Sequence, residues 1–123
     1  MEEIQVEEYK KEIKSILSQC QYDKSKTKFV EKDSVLNQQL FVIKRQEHNK
    51  FNTPFLVLWI GIITDKGLQL TDENGKALAI AIGLSKHNLN FYKKVRAGDI
   101  FTISLFRTRN LIGYSYKVVD HGH

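Results

Sequence analysis

Apolar and polar positions alternate through the second half of this chain, and turn residues interrupt the alternation at short intervals. From Leu68 to Val119 the order reads strand, Asn74-Gly75 turn, strand, short polar helix, Gly98-Asp99 turn, strand, basic turn, strand. The strand after Asn74-Gly75 puts Leu78, Ile80 and Ile82 on one face and Ala77, Ala79 and Ala81 on the other, the period of a half-buried strand. An alanine face leaves room above it, either for a closely packed element or for a flat ligand. Upstream, Pro54 opens the nine-residue apolar run Phe55–Ile63, rich in β-branched and aromatic residues, which predicts a strand covered on both faces. Trp59 in its middle reads as core, and Gly61 reads as a bulge or sharp bend. Residues 38–47 predict a further strand, followed by a turn at His48-Asn49-Lys50.

The last hairpin fixes its own register. With Arg109-Asn110 as a two-residue turn, Leu105 faces Tyr114, Ile103 faces Tyr116 and Phe101 faces Val118, all on one apolar face. The other face pairs Ser104 with Ser115, Thr102 with Lys117, and Phe106 with Gly113. A turn one residue longer or shorter would mix the two faces. Phe106 is then the one aromatic on the outer side, while Tyr114 and Tyr116 are structural.

Residues 2–20 predict a helix: Ile4, Tyr9, Ile13, Ile16, Leu17 and Cys20 fall near helical spacing, with Glu and Lys between them. Packing across one end of the sheet is the first reading of that helix, and an oligomer contact the second. Residues 21–37 are polar, basic and patternless, as a linker or mobile loop would be. Residues 85–94 predict a short helix with Ser85 as N-cap and with Leu89 and Tyr92 facing inward.

Composition narrows the class. The chain has 123 residues, enough for one domain with its own core, and a single cysteine, Cys20, which excludes an intrachain disulfide and a cysteine-based zinc site. The acidic Met1-Glu2-Glu3 start is unlike a secretory signal, and a nine-residue apolar run is too short to span a bilayer as a helix. A cytoplasmic, non-membrane protein is expected. Residues 1–23 carry six acids and three bases, whereas residues 24–123 carry sixteen bases and eight acids, so the body of the chain is basic. A basic body suits a polyanionic partner, because each Lys or Arg set against a phosphate releases condensed counterions.

Five strands, taken as residues 55–64, 67–72, 76–83, 99–107 and 111–119, with a helix between the third and fourth, make the order of an oligonucleotide/oligosaccharide-binding (OB) barrel. Leu68-Gln-Leu-Thr-Asp-Glu-Asn-Gly-Lys-Ala-Leu-Ala-Ile-Ala resembles the second-and-third-strand hairpin of OB domains such as those of replication protein A and bacterial single-strand-binding proteins. Val95-Arg-Ala-Gly-Asp-Ile-Phe-Thr-Ile resembles the approach to their fourth strand. The fold expected is therefore mainly β: a five-stranded OB barrel with an N-terminal helix and one extra strand, in a single domain. The resemblance covers residues 53–120 and leaves 1–52 unassigned.

The resemblance implies a single strand of nucleic acid lying across strands two and three, clamped by Asp65-Lys66-Gly67 and by Arg107-Thr108-Arg109-Asn110. Candidate phosphate contacts are Lys66, Lys76, Lys93, Lys94, Arg107, Arg109 and Lys117, and candidate base-stacking rings are Phe91, Tyr92 and Phe106. The second expected strand carries no aromatic, a departure from many single-strand binders. DNA is preferred to RNA as the partner, in replication, recombination, or a phage or mobile element. Lys far outnumbers Arg, which hints at an AT-rich genome. No enzyme is expected: His48, His87, His121 and His123 are scattered, and no Gly-rich phosphate loop or Ser/His/Asp set occurs. No cofactor or metal is expected, and His121-Gly122-His123 reads as a tail. The rival class is a protein-interaction module whose charge is incidental.

Overall fold

The computed structural model describes residues 27–119. The predicted N-terminal helix and the first part of the predicted linker lie outside these residues. The elements are β1 (Lys28–Phe29), a 3-10 turn (Lys32–Val35), β2 (Gln39–Lys50), β3 (Thr53–Thr64), β4 (Gly67–Gln69), β5 (Leu78–Gly83), α1 (Leu89–Lys94), β6 (Ile100–Arg107) and β7 (Ile112–Val119). They build one seven-stranded mixed sheet in the order β1-β5-β3-β2-β6-β7, with β4 paired to β3 beside that path. The end strands β1 and β7 do not pair, so a closed five-stranded barrel is not what is observed.

The apolar run behaves as expected. In β3, Leu56, Leu58 and Ile60 point to one side and Val57 and Trp59 to the other, and all five are fully buried. The first side joins Leu40 and Val42 of β2, Leu78, Ile80 and Ile82 of β5, and Phe101 and Ile103 of β6, plugged by Phe91, Tyr92 and Val95. The second side joins Phe41, Ile43, Ala79 and Ile100 with Leu68 and Leu70 laid over it. Ala79, the register partner of Trp59, is the alanine over which a close element fits, whereas Ala81 beside Val57 stays exposed.

The neighbours of β3 differ from expectation. The strand predicted over residues 67–72 shortens to three residues paired with Ile62–Thr64, and the strand predicted as an extra, β2, is the long central partner of both β3 and β6. The Asn74-Gly75 turn does form: Gly75 sits at φ 76 and Asp72 N–H donates to Lys76 O at 2.9 Å. Beyond one bridge, Thr71 to Ala77, the two arms part, because β3 offers Phe55–Ile60 to β5 and its far end to β4.

The expected irregularity in β3 is instead a bulge in β2 between Val42 and Lys44. Gly61 stays paired with Phe41 and is required by close approach: a Cβ there would lie 2.8 Å from Leu68 Cδ1 and 3.1 Å from Leu70 Cδ2. After the bulge, Lys44 shares a face with Trp59 and its ammonium lies 5.5 Å from the indole centroid. Arg45 turns to the other side, where it donates to Tyr92 O at 2.9 Å and pairs with Glu47 at 2.8 Å.

Residues 27–37 are a packed crossover rather than a loose linker. Val30 N–H donates to Ala79 O at 2.8 Å, Val35 is fully buried, and Asn37 N–H donates to Ile103 O at 3.0 Å. Lys32 lies over the Tyr114 ring at 5.3 Å, and the Tyr114 hydroxyl donates to Asp33. The helix also shifts: it begins at Leu89 with Asn88 as cap, and the pair facing inward is Phe91 and Tyr92, with Leu89 exposed. Ser85 is displaced as cap because buried Asn88 turns its side chain back, accepting from Ser85 N–H at 3.0 Å and donating to Gly83 O at 2.8 Å.

Replacing Gly61 with Ala should cost about 1–3 kcal/mol, since the added methyl must push Leu68 and β4 off the sheet. Urea denaturation should show a lower midpoint with an unchanged slope; an unchanged midpoint would mean that β4 is not held there.

Candidate nucleic-acid interface

The β6–β7 hairpin takes the register that its face separation demands. Phe101 pairs with Val118, Thr102 with Lys117, Ile103 with Tyr116, Ser104 with Ser115, Leu105 with Tyr114 and Phe106 with Gly113. Thr108 and Leu111 close the tip, Thr108 N–H donating to Leu111 O at 2.8 Å, so Arg109-Asn110 is the two-residue turn. Arg107 and Arg109 are both exposed, and among the described residues no acidic side chain lies within ion-pair distance of either. A guanidinium in that setting keeps its planar donor fork available for a phosphate.

The hairpin outruns the core, so its apolar face does not stay covered. Leu105 is 49% exposed, Leu111 51% and Ile112 58%. Phe106, expected as a bare outer ring, is instead half-buried over Gly113, where a Cβ would lie 2.6 Å from the ring. The His87 ring meets it at 5.0 Å, tilted by 48°. Only glycine at 113 leaves room for this ring, and only part of Phe106 is open to a ligand.

Two candidate stacking rings are removed by the fold. Phe91 and Tyr92 are buried, Phe91 packing 4.8 Å from both Phe101 and Tyr116. Neither can receive a base without opening the core, because a one-and-a-half-turn helix plugging a sheet must bury its bulkiest consecutive side chains. Burial also pushes the Tyr92 phenol above its ordinary pKa, with a smaller push from Glu47. Lys93 and Lys94, next in sequence, are exposed, and so is Lys117 on β7. The contact of Phe91 with Tyr116 sets α1 against β7, which places these three lysines on adjoining elements.

Lys66 and Lys76 are exposed but are separated from the hairpin in sheet order by β2 and β3. Lys66 sits in the turn that closes β3 onto β4, where its N–H donates to Thr64 Oγ1 at 3.3 Å. Lys76 shares its turn with Asp72, whose carboxylate accepts from the N–H groups of Lys76 and Asn74 at 2.9 and 2.8 Å. The Lys76 N–H is the main cause of the lowered Asp72 pKa, helped by Asn74 and by the charges of Lys28 and Lys76. The turn borders an open cleft of about 680 Å³ lined by Glu31, Asp72, Glu73 and Lys28 among others. With three acids to one base on its wall, this cleft does not suit a phosphate. Among the described residues no set of three His, Cys, Asp or Glu side chains is placed to hold a metal.

One residue escaped the sequence reading. Phe51 occupies the tip of the β2–β3 hairpin, 88% exposed, with φ at 55° and with Asn52 beside it at 59°. Two positive φ values in a two-residue loop make a type I′ turn, a conformation suited to Asn-Gly. Asn tolerates it, whereas a bulky aromatic there costs about 1–2 kcal/mol. The available signal was the His48-Asn49-Lys50 turn, which ended one residue short of the ring.

Comparison with protein-family models, with curated proteins and with solved structures gave no match for this chain.

Phe91→Ala should cost about 3–5 kcal/mol, while the double change Lys93→Ala/Lys94→Ala should leave the urea midpoint within experimental scatter. Equal small effects from both would return Phe91 to the surface.

Proposed function

We propose that this protein binds single-stranded DNA, without enzymatic chemistry and with little sequence preference, on a partly open variant of the OB barrel. The order of its five longest strands supports the fold reading: β5-β3-β2-β6-β7, with α1 connecting β5 to β6, is the succession three-two-one-four-five. A five-stranded, partly open barrel of this kind presents its second and third strands to oligonucleotides. Those strands are then β3, in place of the predicted 67–72, and β5, which the sequence placed at 76–83. The remaining candidate contacts are Lys93, Lys94, Arg107, Arg109 and Lys117, with Phe106 as a partial stacking edge, while Lys66 and Lys76 stand apart from them across β2 and β3.

The observation that carries the reading is the pair of exposed, unneutralised arginines on either side of Thr108. A hairpin that projects past its own core and ends in two planar cations has the form of a phosphate clamp. Three to five such contacts give a shallow salt dependence, with a slope of about −2 to −3.5. The setting proposed is cytoplasmic, in replication, recombination or DNA transfer. No helix among the described residues is long and apolar enough to cross a membrane.

A second reading is favoured by Leu105, Leu111 and Ile112, whose exposed side chains would suit a protein surface or a second copy of the chain. Titration of a fluorescent oligothymidylate at two salt concentrations separates the two. Binding that weakens with salt at the stated slope is expected. Arg107→Ala/Arg109→Ala should lose about tenfold or more at low salt and flatten the slope by about 1.4, with no change in Tm. Absence of any binding at low salt would leave the assembly reading in possession of the hairpin.

A further inference from the structure

We infer that β7 is an interface with a second copy of this chain, the two strands pairing antiparallel about a twofold axis at Ser115. Such pairing needs no nucleic acid, so it stands or falls apart from DNA binding. The two ends of the sheet are built differently. β1 is two residues long, which leaves almost no edge to pair. β7 runs eight residues in unbroken register with β6. Lys117 is its one charge, and neither a proline nor a bulge stands in the way of a further strand. Among the described residues β6 is its only strand partner, and Lys32, Asp33 and Phe91 meet it through the Tyr114 and Tyr116 side chains.

The ladder shows which backbone groups of β7 face outward. Thr108 and Leu111 exchange both hydrogen bonds, at 2.8 and 3.5 Å. Alternation along an antiparallel pair then turns Gly113, Ser115 and Lys117 toward β6, and Ile112, Tyr114, Tyr116 and Val118 toward the free edge. Two copies must match outward groups with outward groups, so the axis passes through a residue and not between two. An axis at Tyr114 sets Val118 against the Asn110 turn, and one at Tyr116 sets Ile112 past the end of β7. At Ser115, Ile112 of each copy lies opposite Val118 of the other, Tyr114 opposite Tyr116, and Lys117 opposite Gly113. Ile112 is 58% exposed and Val118 40%, and only this axis sets these two against each other. Both lie on the face of Phe101 and Ile103, so the pairing carries the apolar face across the axis. Lys117 meets a glycine there instead of a like charge. A strand that is its own complement in this way has the form of an isologous interface. Arg109-Asn110 stays beyond the paired segment.

Sedimentation equilibrium of the full chain across micromolar concentrations should approach twice the 14.3 kDa of one copy. Ile112→Lys/Val118→Lys alters two exposed positions and sets charge against charge at both ends of the pairing. That variant should sediment as a monomer with an unchanged Tm. Cysteine pairs in a Cys20→Ser background locate the axis. Opposed residues of a non-hydrogen-bonded pair lie about 4.5 Å apart between Cα atoms, within disulfide range, so Ser115→Cys should oxidise to a covalent dimer. The two copies of Lys117 lie more than about 13 Å apart in this register, so Lys117→Cys should not. A monomer at every concentration, with no covalent dimer of Ser115→Cys on oxidation, would overturn the interface. So would a dimer that survives Ile112→Lys/Val118→Lys, or one in which Lys117→Cys cross-links as readily as Ser115→Cys.

Discussion

The antiparallel pairing of β2 with β3 is the constraint on which the rest of this structure depends. It joins two twelve-residue strands, and five consecutive residues of β3 are buried on both faces of the sheet. Each such side chain contributes about 1.5–3 kcal/mol on burial, against about 1 kcal/mol net for a ladder hydrogen bond. Burial therefore decides where β3 goes, and the ladder decides what lies beside it. The bulge at Ile43 then divides β2 by function. Before it, Leu40 and Val42 complete the inner core; after it, Arg45 reaches inward to the end of α1 and Lys44 covers Trp59. A single inserted residue thus holds the helix plug in place and turns the polar half of the strand outward.

What the sequence revealed and what it hid follow from this arrangement. The β6–β7 register was legible residue by residue, because a period of two admits only one pairing that keeps Leu105, Ile103 and Phe101 on the side of Tyr114, Tyr116 and Val118. The buried place of Trp59 was legible from its apolar neighbours. The partner of β3 was not: Lys44 to His48 is polar throughout and reads as surface, although it is paired with Phe55–Trp59. Periodicity reports which faces are wet, so the strand was legible over residues 38–47, but a strand whose wet side changes at a bulge hides its partner. Phe91 was misjudged for a related reason. Its polar neighbours Asn90, Lys93 and Lys94 suggested exposure, but a six-residue helix closing the sheet is set by what it plugs.

The candidate site divides in the same way. Charged positions on turns were easy to name, because Arg107 and Arg109 have no buried place to occupy. Aromatic positions were hard, since a ring among polar residues can be a plug, a lid or a platform. Phe91 and Tyr92 proved to be the plug, Phe106 is half a lid over Gly113, and Phe51, unnamed in the sequence reading, is the ring that nothing covers. Two hairpin tips therefore carry exposed side chains, Arg107 and Arg109 on one and Phe51 beside Lys50 on the other. The basic residues around Asp72 and Glu73 belong to a different, acid-lined surface.

Amide chemical-shift mapping of the 15N-labelled protein against a short oligothymidylate tests this division most directly. Shifts are expected to concentrate at residues 93–94 and 107–117, with residues 28–31 and 69–73 around the acidic cleft unmoved. Shifts confined to that cleft, or none at saturating oligonucleotide, would contradict it.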